Sequence, residues 1–118
     1  MKVHLVLLRL WTEIVRIKMI TLKARKLNSF AEKSMGLMGK MEPENIYFET
    51  RWGIHTFFMN FPIDVLVLDK NFKVVSLSQN LKPGSIMMWN PKYYRVLELT
   101  SGTIQKMKIR QLNEISII

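Results

Sequence analysis

Residues 53–69, GIHTFFMNFPIDVLVLD, restrict the fold more than any other stretch of this chain. They run into Val65-Leu66-Val67-Leu68, which is apolar at every position. A strand of that kind must be covered on both faces, so it belongs in the middle of a sheet. Ahead of it His55, Asn60 and Asp64 sit among large apolar side chains, with Pro62 breaking the run just before the aspartate. Polar groups in such surroundings cost free energy unless paired, so each needs a structural partner or a chemical task.

The remainder reads as short strands punctuated by turns. Candidate strands are 45–49, 54–59, 64–69, 72–78, 86–89, 93–100, 103–106 and 114–118, and the β-branched content of 14–22 also permits one. Lys70-Asn71, Lys82-Pro83-Gly84-Ser85, Asn90-Pro91 and Ser101-Gly102 carry turn chemistry. Ser29 and Glu32 have capping-box spacing and predict a short helix, with Gly36 and Gly39 as terminators. Strands at this spacing, without helices between them, predict an all-β domain: a sandwich or jelly-roll-like barrel with one short helix near the N-terminus. At 118 residues the chain is long enough for one hydrophobic core.

Net charge is +9 and unevenly spread. Residues 1–40 hold nine Lys/Arg against Glu13 and Glu32, whereas 41–118 hold nine against seven acidic groups. In the first segment Arg9, Thr12, Glu13 and Arg16 recur at helical spacing opposite Val6, Leu7, Leu10, Trp11, Ile14 and Val15. Residues 1–13 are therefore read as a basic amphipathic extension ahead of a single domain over 14–118. The long apolar run Leu5–Leu8 is too short for a signal-peptide core or a spanning helix, so neither is expected. The expected setting is cytoplasmic, or peripheral to a membrane. With no cysteine there is no disulfide, thiolate or Cys-ligated metal chemistry.

Gly36-Leu37-Met38-Gly39-Lys40, then Ile54-His55-Thr56-Phe57-Phe58-Met59, Pro62-Ile63-Asp64, and Leu97-Glu98-Leu99 with Gly102 together resemble domain-of-unknown-function family 192, also called uncharacterised protein family 0127. The resemblance runs from about residue 14 onward. It implies a mostly β domain of sandwich or jelly-roll form with a short helix near its start, in bacteria and archaea. It carries no established activity, so no catalytic assignment comes with it. Three departures stand out: Arg51-Trp52-Gly53 where many relatives place a cysteine, Asn60 where close relatives often have arginine, and Leu112-Asn113 where relatives commonly show Gly-Asp.

His55, Asn60, Asp64 and Glu98 are the candidate ligand-binding residues. His55 could donate or accept a proton in a pocket, or hydrogen-bond a core neighbour. Asp64 beside Pro62 could fix the bend through backbone amides. Glu98 alternates with Val96 on one strand face; if that face is inward, its pKa rises unless a cation meets it. Only His4 and His55 are present and HExxH is absent, so no metal and no cofactor are expected. Trp52, Phe57, Phe58, Phe61, Trp89, Tyr93 and Tyr94 are read as core filling rather than a platform for sugars or bases. The methionines are likewise read mainly as packing.

Three functions compete. The first is a non-catalytic binding or accessory domain with a polar pocket for a small ligand. The second is a peripheral module whose basic front binds an anionic membrane surface or, with less support, nucleic acid. The third is a small hydrolase-like enzyme using His55 with Asp64 or Glu98.

Overall fold

The computed structural model describes residues 18–118, so the amphipathic extension expected over 1–13 lies outside the described residues. The elements in chain order are β1 (Met19–Leu22), β2 (Arg25–Lys26), α1 (Phe30–Met35), β3 (Ile46–Glu49), β4 (Gly53–His55), β5 (Ile63–Leu68), β6 (Val74–Leu81), β7 (Ile86–Met88), β8 (Arg95–Thr100), α2 (Thr103–Met107) and β9 (Glu114–Ile117). The fold is mainly β, as the patterning predicts. A five-stranded sheet runs β2-β3-β8-β5-β6, and two smaller sheets pair β1 with β9 and β4 with β7. The edge strands β2 and β6 do not meet, so no barrel closes among the described residues.

β5 lies between β8 and β6 and is buried at all six positions. Its alternation divides the interior in two. Leu66 and Leu68 join Leu97, Leu99, Ile104 and the β1 and β9 residues Ile20, Leu22 and Ile115 on one face. Ile63 and Val65 join Ile46, Phe48, Val96, Leu27, Leu37 and Met59 on the other. β1 and β9 pair in parallel over the first face, Met19 opposite Glu114 through Leu22 opposite Ile117.

α1 starts where the capping box predicts: Ser29 Oγ accepts from the Glu32 amide at 3.0 Å. Gly36 ends it in left-handed backbone and donates its amide to the Glu32 carbonyl at 2.8 Å. The strand expected over 103–106 is instead the helix α2. β-Branched Thr103 and Ile104 favour a strand locally, but a carboxylate from β5 accepts the amides of Gly102 and Ile104 and draws this segment into a helical turn. β2 escaped the strand pattern because it is two exposed residues long, held by parallel pairing of Arg25 with Ile46 and Lys26 with Tyr47. The expected strand 54–59 stops at His55, and Phe58 takes left-handed backbone in the turn that follows.

Candidate functional site

A cavity of about 400 Å³ opens on the second face of the large sheet. α1 and the loop after it supply Lys33, Met35, Gly36, Leu37 and Met38; β3 and its end supply Phe48, Glu49 and Thr50. β4 and the following turn add Gly53, Ile54, His55, Phe57 and Met59, and β8 adds Glu98. Two segments far apart in sequence are latched at its edge. The Gly39 amide donates to the Phe58 carbonyl at 3.1 Å, and Asn60 Nδ2 donates to the Lys40 carbonyl at 2.8 Å. The Gly36–Lys40 and Ile54–Met59 motifs are thereby brought together along the same wall.

Glu98 is the most unusual group in this cavity. It sits on the Val96 side of β8, opposite Ile46 and Val65 on the neighbouring strands, and is only 4% exposed. Its Oε2 has no hydrogen-bond partner. The salt bridges among the described residues, Arg25 with Glu32 and Glu44 and Arg95 with Glu49, leave it out. Burial without compensation favours the neutral form and pushes its pKa up to about 7. Arg95 is on the opposite face of β8, where it donates to the Tyr47 hydroxyl at 2.8 Å and lies over the Phe72 ring.

His55 lines the same cavity from an exposed position, stacked on Phe57. Its Nδ1 accepts the Phe57 amide at 3.2 Å, which leaves Nε2 as the hydrogen-bearing nitrogen of the neutral ring. The other two candidates stand elsewhere. Asn60 is exposed and occupied by the Lys40 carbonyl. Asp64 is fully buried on the far face of the sheet: Oδ1 accepts from Asn80 N at 2.9 Å, and Oδ2 from Gly102 N at 3.1 Å and Ile104 N at 2.9 Å. All three partners are backbone amides, so Asp64 binds together β5, the end of β6 and the start of α2.

Sequence reasoning passed over Thr56, which is fully buried. Its hydroxyl donates to the Lys82 carbonyl at 2.7 Å and accepts the Ser85 amide at 2.8 Å, clamping the 82–85 turn against the end of β4. Leu37 and Met38 belong to the Gly36–Lys40 motif, but nothing local marks Lys33 or Thr50 as lining beside them. No group of three or more His, Cys, Asp or Glu side chains able to hold a metal occurs among the described residues. Nor, among them, is any helix long and apolar enough to cross a membrane.

The sequence profile of DUF192, described as an uncharacterized ACR, matches residues 13–117. The chain belongs to DUF192. A DUF192-related protein of Pyrococcus horikoshii, UPF0127 protein PH1112, is 35% identical over 92 residues, which span 73% of this chain and 79% of that one. Two solved structures share the DUF192 fold seen here. One is a protein of unknown function from Novosphingobium aromaticivorans, with a TM-score of 0.65 and 19% identity over 80% of this chain and 71% of that one. The other is described as a putative transcription regulator from Sinorhizobium meliloti, with a TM-score of 0.66 and 17% identity over 80% and 78%.

Proposed function

We propose that this DUF192 chain is a non-catalytic binding domain whose ligand occupies the cavity over Glu98. One observation carries the reading: a buried carboxyl with an unpartnered oxygen faces a cavity walled by Leu37, Phe48, Ile54, Phe57 and methionines together with Lys33, Glu49, Thr50 and His55. A buried polar atom left unpaired costs about 1–3 kcal/mol, and a ligand that donates to it recovers that cost. The complementary ligand is a small amphipathic molecule with an apolar body and one hydrogen-bond donor, an amine or a hydroxyl. His55 Nε2 at the rim offers a second, outer contact. The hydrolase-like alternative loses one of its two carboxylates, since Asp64 is saturated by backbone amides on the opposite face.

The test is a thermal-shift series of short alkyl amines and alcohols on wild type, Glu98→Gln and Asn60→Ala. A ligand present at about 100 times its dissociation constant adds roughly 2.7 kcal/mol to a native state that alone binds it. The expected result is stabilisation of wild type and Asn60→Ala that is weakened in Glu98→Gln. Equal stabilisation of all three proteins, or of none, overturns the reading.

A further inference from the structure

The β4–β7 sheet turns an apolar, cationic-rimmed face outward. Ile86 and Met88 share one side of β7 and are 63% and 72% exposed, while Met87 between them packs on the core. They pair with His55 and Gly53 respectively, so Trp52 and the turn after His55 flank the same short sheet. Trp52 is 65% and Phe58 80% exposed. Both hold left-handed backbone, with φ of 81° and 64°. Bulky residues are disfavoured there and asparagine or glycine would be easier, so the fold maintains two aromatic tips in solvent against its own backbone preference.

Charge completes the pattern. Residues 50–62 and 82–94, which build this region, contain Arg51, Lys82 and Lys92 and no Asp or Glu. Arg51 donates to the Pro91 carbonyl at 2.6 Å, which sets it and Lys92 at the Trp52 end. The Lys82 carbonyl accepts the Thr56 hydroxyl, which sets Lys82 at the Phe58 end. Exposed aromatic and aliphatic side chains between cations match the interface of an anionic bilayer: rings at headgroup depth, aliphatic tips at the acyl boundary, cations on phosphates. Nucleic acid fits less well, because Ile86 and Met88 in the middle neither stack with bases nor bind phosphate. We propose that the outer face of the β4–β7 sheet, with Trp52 and Phe58 as anchors, docks on an anionic membrane surface.

The experiment is co-sedimentation of the full chain with vesicles of phosphatidylcholine alone or of equal parts phosphatidylcholine and phosphatidylserine. Wild type is expected to pellet with the anionic vesicles and to be released by added salt. Trp52→Asn combined with Phe58→Asn should weaken binding on the order of tenfold or more, from lost apolar burial. The same protein should melt no lower than wild type, because asparagine tolerates the left-handed backbone. Undiminished binding of the double variant overturns the proposal and places the lipid contact elsewhere, as does failure of wild type to pellet. A wild-type dimer that the double substitution converts to monomer would also overturn it, making the face a contact between copies.

Discussion

The two faces of the large sheet each bury one carboxylate, on neighbouring strands and one residue out of register: Asp64 lies opposite Leu99, and Glu98 opposite Val65. Their surroundings differ completely. Asp64 receives three backbone amides from two other elements and is the keystone of its face. Glu98 has an oxygen with no donor and a cavity in front of it. The same chemical group thus supports the fold on one side and opposes it on the other. Burial alone therefore does not tell a structural carboxylate from a candidate binding group; its partners do.

The sharpest way to break this comparison is Asp64→Ala. Three hydrogen bonds vanish and leave the buried Ile104 amide and the part-buried Asn80 and Gly102 amides without their carboxylate, so urea unfolding should show a loss of about 4 kcal/mol. A loss below about 1 kcal/mol would mean Asp64 is not the keystone.

Glu98 should behave in the opposite sense and reveal itself through pH. Below about 4.5, its ordinary value, the carboxyl is protonated in both folded and unfolded chains. Between there and about 7 the folded chain holds a proton that the unfolded chain has released, so stability falls as pH rises. Above 7 the folded carboxyl ionises too and its contribution levels off, about 3 kcal/mol lower. Glu98→Gln should flatten that slope and melt higher than wild type at pH 8. Parallel pH profiles for the two proteins would refute the unpaired, buried carboxyl.

Smaller effects sharpen the contrast around the cavity wall. Thr56→Val should cost about 2 kcal/mol, because the Ser85 amide and the Lys82 carbonyl lose their shared hydroxyl, and hydrogen exchange should quicken in the 82–85 turn. Asn60→Ala removes one exposed latch and should cost about 0.5–1 kcal/mol, measured by chemical denaturation. An Asn60→Ala loss as large as that of Thr56→Val would make the latch between the two wall motifs a second keystone.

Much of this framework was legible in the sequence. Val65–Leu68 announced a central strand through uninterrupted apolarity, and Ser29 with Glu32 announced α1 through capping. The alternation of β8 put Glu98 on the side of Val96 and away from Arg95, which is where it stands. What stayed hidden came from distant chain. Nothing near Asp64 names Asn80, Gly102 and Ile104 as its donors, and nothing near Thr103 says that its segment is drawn into a helix by a carboxylate on β5. Phe61 and Trp89 pack against the core as expected, but three other aromatics depart from it for a related reason. Trp52, Phe57 and Phe58 have the composition of core residues, but left-handed backbone at Trp52 and Phe58 and the early end of β4 keep all three out of the core.

The parallel pairing of β1 with β9 has a consequence for how the chain comes off the ribosome. Ile20 and Leu22 leave the ribosome long before the strand beside them, which carries Ile115. Until β9 emerges, one flank of the Leu66–Leu97 face stays uncovered, and closing so long a loop is slow relative to local contacts. Nascent chains of this protein therefore carry an open apolar surface until β9 has emerged, the stage at which chaperone holdases find their clients.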